Sequence, residues 1–392
     1  MFYLRKIYPE LKKHLKNRQI TVLTGMRRSG KTTLVEQLLS EIDSKNKLYL
    51  DFQRLDNQEL FLQKNYDNII VELAQRGIEA KKKIYLALDE IQLIPEVSGA
   101  IKYLYDHYDI KFIVTSSSSY YLKNLFTESL AGRKKIFELF PLDFGEFLTF
   151  KKVPFKENDF LTSNFNPIEY ERLSAYYEEY VEFGGFPEVV LANSEEEKKD
   201  LLNDIISSYI NIDIKSLVDF RKDKNIYELV KMLASRAGTR LDYSKLSRLT
   251  GVSRITVNNY VDFFEKTYLV YRTPVFTKNP DREIVKAQKI YFSDNGILNI
   301  LADLNSGSKF ENSIFCQLRQ KGNIRYFSLK DGQEIDFIFN DKIALEVKEK
   351  SLESDEDNLK EITKKTGLKK YRLIGRHKSP RFENYIWGGE IK

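Results

Sequence analysis

Short apolar runs alternate with amphipathic stretches along the first third of the chain. RQITVLTG reads as a buried strand, followed by a glycine-rich turn and the helix KTTLVEQLLSEI. KLYLDFQ, KKKIYLALDE and IKFIVTSSS are further strands, separated by the helical patterns NYDNIIVELAQRG and VSGAIKYLYDHY. Strands and helices at this spacing predict an α/β fold, with a parallel sheet covered by helices on both faces. KIFELFPLDFGEFL closes this unit, so a first domain is expected over 1–150.

The pattern then changes. VPFKENDFLTSNFNP, with proline near each end, reads as a linker or insertion. Helical patterns follow in IEYERLSAYYEEYVEF, SEEEKKDLLNDIISSYINIDIKSL and NIYELVKMLASRAG, giving a helical region over 151–235. DYSKLSRLTGVSRITVNNYVDFFEKTYLVYRT predicts helix, turn, helix and strand, a winged helix over 236–288. From Lys289 strands and helices alternate again to residue 392, ending with the strand YRLIGRH and a polar tail.

Composition narrows the class. Apolar residues make up 42% and aromatics 13%, enough for packed cores, and no apolar run approaches the length of a membrane span. A single cysteine, Cys316, excludes an internal disulfide framework and suits a cytoplasmic protein. Three scattered histidines make a structural zinc site a poor fit. The net charge of +6 permits a nucleic-acid partner without arguing for one, because acids and bases are interleaved.

The turn after the first strand reads Gly25-Met-Arg-Arg-Ser-Gly-Lys31-Thr32, the pattern G-x-x-x-x-G-K-[ST] between a strand and a helix. Glycines let successive N–H groups curl inward around an anion, and the helix N-terminus adds its positive end. The expected ligands are ATP and Mg²⁺. Gly25, Arg28, Ser29, Gly30, Lys31, Thr32 and Thr33 form the nucleotide set, with Lys31 on the β- and γ-phosphates and the Thr32 hydroxyl on the metal. Asp89, at the end of KIYLALDE, is expected in the magnesium shell, and Glu90 is expected to activate the attacking water. An acid pair there also suits a helix cap. Ser116 and Ser117 both qualify as sensors of the γ-phosphate, against the alternative of a plain hydroxyl-rich turn. Arg133 is a candidate finger for a neighbouring subunit's nucleotide, which requires a homo-oligomer.

Two other constellations carry chemistry. The second helix of the winged-helix stretch would present Arg254, Thr256, Asn258 and Asn259 to base edges, with Lys245 and Arg248 on phosphates of DNA. In the hairpin GQEIDFIFNDKIALEVKEK, alternation puts Glu334 and Asp336 on one face of the first strand, and Glu346 and Lys348 on one face of the second. Pairing the strands would bring Asp336, Glu346 and Lys348 together, two carboxylates for a metal and a lysine for the attacking water, as in a nuclease. Glu311 on the preceding helix is a further candidate metal ligand. An ordinary half-buried sheet has the same alternation.

Taken in order, GMRRSGKTTL, LALDEIQ, FIVTSSSS, LAGRKKIFELFPLDFGEFL and FGGFPEVVL resemble a prokaryotic family of AAA+-type ATPases. KIYFSDNGILNIL, FENSIFCQLRQKG, GQEIDFIF and ALEVKEK resemble the C-terminal, restriction-endonuclease-like (PD-(D/E)xK-type) part of the same family. Such proteins often read Thr-Gly-Ser at the sensor strand, whereas this chain has Thr115-Ser116-Ser117. The resemblance implies an AAA+-like fold, ATP hydrolysis and oligomers, with a nuclease-like domain at 289–392. The resulting expectation is an Mg-dependent ATPase that acts on DNA and carries metal-dependent cleavage at Asp336, Glu346 and Lys348. Its rival is a nucleotide-dependent switch whose C-terminal domain binds a protein.

Overall fold

Ile20–Thr24 is buried at every position, and this strand, β1, is flanked on both sides in its sheet. In the computed structural model, which describes residues 2–119, 132–214, 226–277, 279, 286–329, 331–378 and 384–392, the chain divides into two compact units. The first comprises Met1–Phe140 and Lys266–Tyr268, and the second Pro141–Glu265 and Leu269–Lys392.

The first unit is built on β1, β2 (Lys47–Asp51), β3 (Ile84–Asp89), β4 (Ile110–Ser116) and β5 (Lys134–Glu138), in the order β2-β3-β4-β1-β5. All its pairings are parallel. Alternation divides the side chains between two cores. Ile20, Val22, Leu86, Leu88, Phe112 and Val114 pack under the helices Asp67–Gln75 and Val97–His107. Leu23, Ala87, Ile113 and Phe137 meet Leu34, Leu38, Tyr8 and Leu11 on the opposite face. Complete burial of each large side chain stabilises by about 1.5–3 kcal/mol, so both faces must be covered. A further helix, Leu55–Phe61, fills the stretch after β2 that shows no clear apolar period.

The second unit begins with helices, among them Pro167–Phe183 and Glu195–Ser208. The latter runs into a π-helical turn at Tyr209–Ile214, and the end of that sequence-predicted helix at 215–217 lies outside the described residues. Tyr243–Thr250 and Arg254–Lys266 form a helix-turn-helix. Asp242 caps the first helix by accepting from Lys245 N, and Gly251, at φ 70°, ends it in the left-handed region where glycine costs least. β6 (Val270–Thr273) pairs antiparallel with β7 (Lys289–Phe292).

The C-terminal sheet has the order β12-β11-β10-β9-β8, from β8 (Ile324–Ser328), β9 (Glu334–Phe339), β10 (Ile343–Lys348), β11 (Lys370–Gly375) and β12 (Tyr385–Trp387). β8, β9 and β10 form an antiparallel meander, and the helix Glu353–Thr366 carries the chain over to β11, parallel to β10. The expected polar tail is corrected here: Tyr385, Ile386 and Trp387 are buried, and β12 extends the sheet. Three consecutive apolar residues are the signal for it. Trp387 lies among Phe144, Tyr170 and Tyr177, and its indole N–H donates to Arg376 O at 3.1 Å.

Candidate nucleotide site and the acidic hairpin

β1 ends at the carboxyl edge of the first sheet, and the chain there must turn sharply into the helix Lys31–Ser40. Gly25 has φ 148°, and a Cβ at this residue would stand 2.2 Å from Leu139 O, so only glycine fits. Arg28 (φ 64°) and Gly30 (φ 97°) add two left-handed residues that curl the loop. The helix starts without a side-chain cap, which leaves its first turn suited to an anion. Ser29 is fully buried, and its hydroxyl has no hydrogen-bond partner among the described residues. These features fit a bound polyphosphate. Lys31 folds back across the loop, donating to Gly25 O at 3.0 Å and Met26 O at 3.1 Å. Arg5, buried, clips the loop from behind by donating to Ser29 O at 2.9 Å and Phe140 O at 2.8 Å. Thr33 is exposed on the first turn.

Asp89, at the tip of β3, is the hub of a hydroxyl network. Thr32 donates to it at 2.7 Å, Tyr49 at 2.7 Å, and Thr115 donates to its other oxygen. Parallel pairing of β2 with β3 brings Tyr49 within reach. Burial, with the Asp89 carboxylate adding to it, pushes the Tyr49 phenol far above its usual range, so it stays a donor. Glu90 follows in the left-handed region at φ 57°, with its N–H on Thr115 Oγ1 at 3.0 Å. The Gln92 amide donates to the Glu90 carboxylate and to Ser117 Oγ at 3.0 Å. Of the two sensor candidates, Ser117 is therefore the one linked to Glu90; the Ser116 hydroxyl donates to Ser118 O at 3.0 Å. Tyr49, Gln92 and Arg5 are not readable as site residues in the sequence, because each arrives from a separate element.

Arg133 stands before β5, where its carbonyl accepts from Ile20 N, at the opposite end of β1 from the loop. Five strand residues place it about 16 Å from the phosphate loop of its own chain. Its guanidinium pairs with Asp106 at 3.0 Å.

Residues 17–148 match the family model described as an AAA domain. This stretch is similar to AAA domains and carries a P-loop between a strand and a helix. Beyond it, residues 174–308 match a domain of unknown function, DUF8612. Relatives that match well beyond this stretch include an uncharacterized protein of Methanocaldococcus jannaschii, 28% identical over 333 residues, covering 82% of this chain and 72% of that one. A protein of Haemophilus influenzae is 26% identical over 378 residues, covering 91% and 89%. Among solved structures, the Walker-type ATPase of Pyrococcus abyssi gives a TM-score of 0.48 at 14% identity, over 76% of this chain and 96% of that one. The Aeropyrum pernix ORC2 protein in its ADP form gives 0.39 at 13%, over 69% and 88%.

On the helix-turn-helix, Lys245, Arg248, Arg254 and Asn259 are exposed, with Thr256 and Asn258 partly so. Leu249 and Ile255, 52% and 75% exposed, also stand out from this motif. Thr256 is drawn into the helix start, its N–H and hydroxyl both on Ser253 Oγ.

In the hairpin, the backbone pairing of β9 with β10 runs only as far as Leu345 and Phe337. Asp336 takes over beyond that point: its Oδ2 accepts from Val347 N at 2.9 Å, and its own N–H points at Glu346 Oε2 at 3.4 Å. Lys348 Nζ lies 2.8 Å from Glu346 Oε1. Asp336, Glu346 and Lys348 are thus neighbours, but with the Lys289 ammonium 3.7 Å from Asp336 Oδ1, each oxygen of the two carboxylates faces a protein N–H or ammonium group. Glu311 accepts from the Tyr291 hydroxyl at 2.6 Å. Among the described residues, no group of three or more His, Cys, Asp or Glu side chains is arranged to hold a metal ion. This arrangement does not fit the metal that a nuclease reading requires. Burial pushes Glu346 above the usual carboxylate range, Asp336 adds to the shift, and Lys348 offsets only part of it.

Proposed function

We propose that the chain is a magnesium-dependent ATPase that uses nucleotide turnover to change its hold on duplex DNA. The observation that carries the ATPase reading is the 2.7 Å hydrogen bond from Thr32 to Asp89 beside an uncapped helix start. In this reading Lys31 swings from Gly25 O and Met26 O to the phosphates, and Thr32 and Asp89 hold the magnesium shell. The ion supplies charge for the γ-phosphoryl transfer when bound. Glu90, with Gln92 and Ser117 behind it, takes the proton of the attacking water. The reading includes a homo-oligomer in which Arg133 leaves Asp106 and reaches a neighbour's nucleotide, since it lies too far from its own.

The DNA half rests on Lys245, Arg248 and Arg254, exposed cations with no ion-pair partner among the described residues. Arg254, at the start of the second helix, and Asn259, in its N-terminal half, suit base edges, and Lys245 and Arg248 suit phosphates. The C-terminal sheet serves as a binding and packing element and does not cut, because its carboxylates are already held by protein donors.

The test is DNA-stimulated ATP turnover together with duplex binding by fluorescence anisotropy over a salt series. Replacing Lys245, Arg248 and Arg254 by alanine should weaken binding and lower the salt slope by roughly one for each phosphate no longer neutralised. Turnover insensitive to DNA, without salt-sensitive binding, would instead favour a switch whose partner is a protein on exposed Leu249 and Ile255.

A further inference from the structure

Lys289 opens β7, and its side chain is 2% exposed. Its ammonium nitrogen lies 3.0 Å from Glu334 Oε1, 3.6 Å from Glu311 Oε1 and 3.7 Å from Asp336 Oδ1. These carboxylates come from the helix Ser306–Arg319 and from β9. Around them, Arg240 donates to Glu334 Oε2 at 3.0 Å, the Tyr291 hydroxyl donates to Glu311, and the Tyr326 ring lies 5.7 Å from the ammonium. A cation buried among carboxylates from separate elements fills the charge position of a divalent ion, with the oxygens 3.0–3.7 Å away, farther than the about 2.3–2.6 Å of an oxygen-ligand site, so a metal would require them to close in.

We propose that Lys289 is the resident cation of this acidic pocket, occupying in place of a divalent metal the space between Glu311, Glu334 and Asp336. A protonated lysine has three donors and no lone pair, so it can neutralise carboxylates but cannot act as a ligand. It therefore holds the helix and strand together and excludes a metal by charge and by volume. This rests on the reading that the C-terminal sheet does not cut, and it supplies the reason: the cation that would activate water is replaced by one that cannot. Arg240, and Lys289 in the separate β6–β7 pair, thus both neutralise Glu334 from outside the hairpin's own sheet.

The test measures Mn²⁺ binding to the nucleotide-free full chain by electron paramagnetic resonance, for wild type, Asp336→Asn, Lys289→Gln, Lys289→Met and Lys289→Gln/Asp336→Asn. Wild type and Asp336→Asn should bind Mn²⁺ alike. Lys289→Gln should gain a site at least about tenfold tighter than any in the wild type, and the added Asp336→Asn should remove it. Unchanged ATP turnover and circular dichroism confirm that the variant is folded. A folded Lys289→Gln or Lys289→Met that gains no Mn²⁺ overturns the proposal. So does wild-type Mn²⁺ binding that Asp336→Asn abolishes, a comparison that stands even if both lysine variants fail to fold. DNA binding is not read in this experiment, so a failure of the helix-turn-helix reading leaves its outcome separate.

Discussion

Asp89 and Asp336 are both partly or wholly buried strand carboxylates with a lysine-bearing neighbourhood, yet their partners differ in kind. Asp89 is held by the hydroxyls of Thr32, Tyr49 and Thr115. Asp336 is held by a backbone N–H and faces the Lys289 ammonium. A hydroxyl carries lone pairs as well as a proton, so on arrival of a cation it can rotate from donor to ligand. An ammonium or a main-chain N–H has no such second role. Two similar acids thus have partners of opposite kind: those of Asp89 can turn lone pairs toward a cation, and those of Asp336 cannot.

The largest expected effect lies at the Asp336 site. Lys289→Met should destabilise the second unit by about 3–5 kcal/mol, since it strands buried carboxylates, and urea unfolding measures it. Burial lowers the lysine's own pKa, but Glu311, Asp336 and Glu334 together hold it above the usual range, so the charge is present throughout the working pH range. An undiminished midpoint would mean that these acids do not depend on the ammonium.

At the Asp89 site, Glu90→Gln should slow ATP turnover by about a hundredfold while nucleotide affinity holds, as single-turnover kinetics and equilibrium binding can separate. Tyr49→Phe sharpens the comparison further. Loss of one orienting hydroxyl should weaken nucleotide-dependent Mg²⁺ affinity by about tenfold, read from turnover against Mg²⁺ concentration. An unaffected Mg²⁺ dependence would show that Tyr49 only packs.

A third carboxylate gives the smallest signal. Asp294 is buried with backbone N–H partners from Gly185 and Ile297, and burial pushes it up to about 6. Because its folded pKa lies above the unfolded value, its contribution is complete below about pH 4 and is lost as pH rises through about 6. Melting of wild type should fall by a few degrees relative to Asp294→Asn across that window, and parallel curves would remove the effect.

Alternation and turn chemistry make most of both folds legible. IYLALD and FIVTS announce strands, G-x-x-x-x-G-K-T announces the phosphate loop, and Asp89 and Glu90 follow from the strand end. What stays hidden depends on residues distant along the chain. The hairpin pattern reveals that Asp336, Glu346 and Lys348 can meet, but nothing local shows that Lys289, 47 positions before Asp336, enters the same pocket. Tyr49 and Asp89 meet through strand order, which local period does not encode. β12 escapes a local reading because three apolar residues after a polar stretch are too short to show a period.

The first unit is closed by a segment far along the chain. The chain leaves the first unit at Phe140 and revisits it at Lys266–Tyr268. Phe140 O is held by the same Arg5 that grips Ser29, and the Tyr268 hydroxyl sits 2.9 Å from Thr24 Oγ1, the residue before Gly25. Two segments distant in sequence, the one ending at Phe140 and Lys266–Tyr268, thus touch residues that hold or adjoin the phosphate loop within the first unit.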